Sequence, residues 1–140
     1  MKFLLDTCVI SETTKKIPNE KIIEWISKQD ERNLFLSVLT LGEIQKGIEK
    51  INDEIKKAQL TLWLKKDLVK QFENRIIPID QSVIITWGKA QGQSERVGKP
   101  MPVIDGLIAA SALTFGLTVV TRNVEDMQQS GVEIINLWGE

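Results

Sequence analysis

The run Pro102-Val-Ile-Asp-Gly-Leu-Ile-Ala-Ala-Ser-Ala-Leu-Thr-Phe115 is apolar around almost its whole circumference, and it leads through Gly116 into Leu117-Thr-Val-Val120. Pro102 suits a first helical turn, where its missing N–H costs nothing, and Gly116 suits a helix end. A helix with so little polar surface expects burial on most sides, and Leu117–Val120 reads as a short interior strand. A buried helix feeding a buried strand belongs to the interior of an α/β domain. Asp105 is the single charge between Lys99 and Arg122. Its position in the first turn is favourable to the helix dipole whether or not it has any other task.

The remainder of the chain repeats this alternation. Lys2–Leu5 reads as a central strand ended by Asp6 and Thr7, with a short helix or turn over Thr7–Thr14. Asn19 caps a helix over Glu20–Lys28 that turns Ile22, Ile23, Trp25 and Ile26 inward. A second interior strand falls within Asn33–Leu39. Thr40-Leu-Gly-Glu43 has the form of a capping box for a helix reaching about Lys50. A longer helix starts at Asn52 or Asp53 and runs to about Asn74, its apolar stripe built on Ile55, Leu62, Val69 and Phe72 and widened by Leu60, Leu64 and Leu68. That face is broad enough for a core contact and a subunit contact. Arg75–Asp80 is a strand and turn, Asp80 or Ser82 caps a helix to about Glu95 with Val83, Trp87 and Ala90 facing in, and Gly131–Leu137 is a last short strand. Strands alternating with helices predict a three-layer α/β/α sandwich around a mostly parallel sheet of about five short strands, over residues 1–140 as one domain.

Composition narrows the chemistry. The chain has no histidine and one cysteine, Cys8. Zinc sites built on His or paired Cys, Ser–His catalysis and imidazole bases are therefore excluded, and any metal must be held by oxygen. Formal net charge is −1, so nucleic-acid binding needs a local patch. No apolar run is long enough to span a membrane, and the N-terminus lacks a basic start followed by an apolar stretch. The expectation is a cytoplasmic protein without membrane contact.

Asp6 follows the first strand, Glu43 the second, and Asn123 and Asp126 the strand Leu117–Val120. Ligands of open α/β sheets bind outside the carboxyl ends of the strands, and Asp105 joins these residues if its helix begins at that edge. Each acid also has a purely structural explanation, as a cap or a dipole partner. Those explanations predict scattered caps, not convergence. Converging carboxylates repel one another and raise their pKa values unless a cation neutralises them. Mg²⁺ takes few protein ligands and keeps its waters, and it can activate water and stabilise charge on a phosphoryl oxygen.

Lys2-Phe-Leu-Leu-Asp6-Thr, Leu36-Ser-Val-Leu-Thr-Leu-Gly-Glu43-Ile, Pro102-Val-Ile-Asp105-Gly-Leu-Ile-Ala-Ala and Val120-Thr-Arg-Asn123 resemble the PIN-domain family, and among its members most of all the VapC-type toxins of toxin–antitoxin pairs. The resemblance extends over the whole chain, including Arg75–Asp80 and Asn136-Leu-Trp138. It implies a Mg²⁺-dependent ribonuclease, with Mn²⁺ as a possible substitute, in which Asp6, Glu43 and Asp105 match the family's acidic triad. The fourth position lies in Thr121–Asp126, at Asp126 or Asn123. It also implies a second copy and a VapB-like antitoxin as partners, with operator DNA reached only through the antitoxin. Two positions depart from relatives: Cys8 stands where many carry Asn, and Asn123 where some carry an acid.

The expectation is an endoribonuclease acting as a toxin, in which a metal-bound water attacks the phosphodiester in line. Asp6 and Asp105 are direct or water-mediated ligands, Glu43 holds a metal-bound water or a second ion, and Asp126 supplies the fourth charge. Asn123, at an N-cap, has its side-chain oxygen occupied by a backbone N–H. Thr7 supports a metal-bound water or the turn, and Arg122 contacts substrate phosphate or pairs with an acid. Lys46, Lys50, Lys56 and Lys57 guide RNA or form a solvated face. The alternatives are a non-catalytic binding module of the same fold, or an RNA-processing nuclease outside a toxin–antitoxin system. A phospho-acceptor signalling domain is disfavoured, since the acidic pair after the first strand and the late lysine are missing.

Overall fold

The computed structural model describes residues 1–139. Five parallel strands lie in the order β3-β2-β1-β4-β5. They are β1 (Phe3–Leu5), β2 (Leu34–Ser37), β3 (Ile76–Ile77), β4 (Thr118–Val120) and β5 (Ile134–Ile135). β1 sits at the centre, with Phe3 level with Leu34 on one side and with Thr118 on the other. Because every strand is parallel, each crossover returns over a face, and both faces are covered.

Side-chain alternation sorts the core into two layers. Phe3, Leu5, Leu34, Leu36 and Val120 point to one side and pack with Val9, Ile10, Ile22, Ile48, Leu64, Leu68 and Phe72. Leu4, Val119 and Leu117 point to the other and meet Ile108, Ala109, Ala112, Met127 and Val132. The first layer is roofed by α1 (Thr7–Glu12), α2 (Glu20–Lys28), α3 (Val38–Glu49) and α4 (Glu54–Leu62). α4 continues through a π-helical segment, Trp63–Leu68, into α5 (Val69–Gln71). α6 (Gln81–Arg96), α7 (Val103–Phe115) and α8 (Val124–Met127) follow. α7 and α8 roof the second layer. No helix among the described residues is long and apolar enough to cross a membrane.

Several local expectations need correction. Asn19 and Asp80 cap α2 and α6 as the sequence suggests, accepting from Lys21 N–H at 3.0 Å and Val83 N–H at 3.0 Å. The capping box at Thr40 does not form. Ser37 caps α3 instead, accepting from Leu39 N–H at 3.0 Å, and Thr40 is buried inside the helix. Extended backbone at Ser37 directly joins β2 to α3, so the helix starts before the box is reached. Asn123 occupies the N-cap position of α8, but its side chain caps nothing.

The helix expected to reach Asn74 ends at Gln71, and Asn74 adopts the left-handed conformation, φ 68°, which Asn tolerates better than most residues. Its stripe also divides. Leu64, Leu68 and Phe72 are buried, while Ile55 and Leu62 are 73% and 54% exposed. The extra residue per π turn shifts the inward face along the helix. α7 is less enclosed than its composition predicts, with Val103, Ile104, Leu113 and Phe115 reaching solvent. Pro102 precedes it at the N-cap, and Gly116 closes it at φ 68°. Ile23 also points outward.

Candidate active site

β1 is flanked by β2 and β4, so the sequence-distant segments that follow these strands share one edge of the sheet. Asp6 comes directly after β1 and is only 2% exposed. Its Oδ1 accepts from the Thr7 backbone N–H at 2.8 Å. Its Oδ2 accepts from the Thr121 hydroxyl at 2.6 Å. Thr121 is itself fixed, since its backbone N–H donates to Ile135 O at 3.0 Å. Burial raises the Asp6 pKa, and the donors Thr121, Thr7 and Cys8 offset part of that rise.

Glu43 lies within α3, no longer a capping residue once Ser37 takes that role. The Thr7 hydroxyl donates to its Oε1 at 2.5 Å and also lies 3.2 Å from the Thr40 hydroxyl. α1 and α3, which enter from different strands, are thereby locked together at the site.

Asp105 occupies the first turn of α7, at the same sheet edge. Burial pushes its carboxyl up to about 6, helped by the charges of Asp6, Asp126 and Glu43. Gly106, the next residue, lets α7 approach α6 closely, because a Cβ there would come within 3.2 Å of Trp87 Nε1. Asp126 reaches the cluster from the first turn of α8.

The acids at positions 6, 43, 105 and 126 therefore come together, and Asn123 does not occupy a capping bond. Its backbone N–H donates to the Thr121 hydroxyl at 3.0 Å. Thr7 bridges two elements, and Arg122 stands over the Trp138 ring at 5.3 Å. Cys8 is half-buried, its Sγ 3.6 Å from Thr121 Oγ1 and 3.9 Å from Asp6 Oδ2. Burial pushes its thiol up, away from the reactive thiolate. Sequence reasoning gave Thr121 no task of its own and Thr40 the wrong one. A threonine immediately beyond the carboxyl end of an interior strand was the available signal.

Among the described residues no three acidic or cysteine side chains close on one point tightly enough to grip an ion directly. An ion that keeps part of its water shell takes few direct protein ligands. The donors are all hard oxygens, and a carboxyl that holds its proton to about 6 beside three others marks a place where a cation would relieve repulsion. By this test the residues fit a hard divalent cation.

Residues 3–129 match the PIN domain model. The chain belongs to the PIN domain family. The toxin FitB of Neisseria gonorrhoeae is 32% identical to it, over 96% of this chain and 97% of that protein. VapC ribonuclease Y4jK of Sinorhizobium fredii is 30% identical, over 96% of each. The solved structure of FitAB bound to an IR36 DNA fragment superposes with a TM-score of 0.92 at 30% identity, covering 99% of this chain and 96% of that one. PIN-domain relatives thus include proteins named as toxins and as ribonucleases.

Proposed function

We propose that this PIN-domain chain is a divalent-cation-dependent endoribonuclease, acting in the cytoplasm as the toxin of a toxin–antitoxin pair. The observation that carries the reading is that Asp6, Glu43, Asp105 and Asp126 lie on separate elements at one edge of the sheet, near enough for the other three to act on the Asp105 charge. Relatives named VapC ribonuclease and toxin FitB support the reaction class and the toxin role.

Asp6 and Asp105 would hold the cation, Mg²⁺ or Mn²⁺, with Asp126 adding negative charge from α8. A bound divalent ion supplies an acidified water and a positive charge for the phosphoryl oxygens. Thr121 and the Thr7 N–H keep Asp6 in one orientation. Thr7 occupies one oxygen of Glu43 and leaves the other to take up a proton or to orient water. Asn123 is a bystander in this scheme.

The antitoxin would be VapB-like. A concavity of about 170 Å³ runs from Thr7 and Glu43 over Ile44, Gly47 and Ile48 to Leu60 and Trp63, and it is mostly apolar. An apolar antitoxin segment lying there could place an arginine against the carboxylates, as a bidentate substitute for the cation. Contact with operator DNA would run through that antitoxin, in keeping with the neighbouring FitAB structure, which holds a DNA fragment.

The test is cleavage of labelled RNA by purified protein with Mg²⁺ and with EDTA. Cleavage in Mg²⁺ only, abolished by Asp105→Asn without loss of fold, is expected. An Asp105→Asn protein that cuts at the wild-type rate would overturn the assignment. An inert wild type that still binds partners would favour the non-catalytic module.

A further inference from the structure

Arg122 leaves the sheet edge between Thr121, which donates to Asp6, and Asn123, whose N–H returns to Thr121. The side chain therefore projects from a fixed point beside the carboxylates. It is exposed and forms no salt bridge among the described residues. Glu12, whose carboxyl feels the Arg122 charge, is engaged by Lys15 at 2.8 Å and by the Asn19 N–H at 3.2 Å. What holds the guanidinium is the Trp138 ring, 5.3 Å away.

That ring is itself prearranged. β5 pairs with β4, Val120 level with Ile135, so the residues after β5 pass alongside Arg122. The Asn136 side chain accepts from the Trp138 N–H at 2.9 Å, which closes the turn. Leu137 and Trp138 then pack partly buried against the core layer. A guanidinium over an aromatic face keeps its edge N–H groups available for bidentate bonds to phosphate.

We propose that Arg122, held over Trp138, grips a backbone phosphate of the RNA strand at this site, and that Trp138 is a positioning residue that aims it. This rests on the ribonuclease reading. With net charge −1 and four carboxylates at the centre, a polyanion is repelled unless a local cation draws it in. Arg122 supplies that cation from an exposed position where, among the described residues, it forms no salt bridge.

The experiment measures fluorescence anisotropy of a labelled single-stranded oligouridine on Asp105→Asn protein across a salt series. Adding Arg122→Ala is expected to weaken binding about tenfold and to lower the salt slope by about 0.7, the share of one phosphate contact on a single strand. Arg122→Lys should keep the slope and lose part of the affinity. Trp138→Leu should weaken binding severalfold with the slope retained, and Trp138→Phe should restore it. In cleaving protein, Arg122→Ala should raise KM and leave the Mg²⁺ requirement unchanged.

Unchanged affinity and slope in Arg122→Ala would overturn the grip, as would a fall in kcat with KM unaltered. A Trp138→Leu protein that binds like its parent would remove the positioning role. RNA binding that needs Arg122 in a wild type that never cuts would sink the ribonuclease reading and leave the grip standing. Cleavage indifferent to Arg122 does the reverse, and a chain that binds no RNA overturns both.

Discussion

Thr7 ties the first and third helices at the point where the acids meet, through its 2.5 Å bond to Glu43. Thr7→Val keeps the shape and removes the donor. It should slow RNA cleavage roughly ten- to a hundredfold, the usual effect of losing a residue that orients a catalytic ligand. Thermal stability should change little, and Thr7→Ser should restore the rate; single-turnover kinetics decide the matter. Asp105 offers a second prediction. Its carboxyl titrates near 6 in the folded chain and near 3.9 when unfolded, roughly. The group binds its proton more tightly when folded, so its favourable contribution is complete below about pH 4 and is lost as pH rises through about 6. Cation-free Asp105→Asn should therefore melt higher than the parent at pH 7, by about 1 kcal/mol after discounting solvent screening, and the gap should close by about pH 4. A melt series in EDTA that shows the same gap at every pH would refute this.

At the level of elements, caps explain which residues are free to act. Ser37 satisfies the start of α3, so Thr40 and Glu43 are released from the capping box that their spacing advertises. Asn123 stands at the start of α8 without using its side chain there. Asp80→Ala should cost about 1 kcal/mol in chemical denaturation, because Asp80 Oδ1 accepts the Val83 N–H. Asn123→Ala should cost less than about 0.5 kcal/mol, the ordinary range for a surface change. Asp126 does the opposite of a cap. It adds charge next to Asp105, so Asp126→Asn should weaken Mg²⁺ binding in a calorimetric titration with little loss of stability. If Asn123→Ala lost Mg²⁺ affinity and Asp126→Asn did not, the two roles would be exchanged.

Across the whole molecule, the two core layers leave one long helical face incompletely used. Leu64, Leu68 and Phe72 are committed to the interior. Ile55, Leu62 and Val69 remain exposed on α4 and α5. Burying such a stripe against its own symmetry mate would form a twofold contact. Light scattering should report a dimer at micromolar concentration, and Leu62→Glu should shift it to monomer with the melting temperature nearly unchanged. A wild-type monomer would remove this face from any role in self-association.

The alternation of apolar strands and amphipathic helices and most helix ends could be read from the chain, and the acids could be named as candidates. Each depends on a residue's own preference for water, backbone shape or charge, and those preferences recur at local spacing. Leu4 between Phe3 and Leu5 already implies a strand buried on both faces, and Gly116 already implies the end of α7. Convergence is a different kind of fact. It depends on β1 lying between β2 and β4, which brings Asp6, Glu43 and Asp105 to one edge from distant parts of the chain. Tertiary burial first, and then the charges of Asp6, Asp126 and Glu43, push the Asp105 carboxyl up to about 6. The same arrangement puts Trp138 beneath Arg122, and the early start of α3 puts Glu43 opposite Thr7. Local spacing cannot encode these pairings, because strand order in a parallel sheet is settled by how the crossovers bury both faces together.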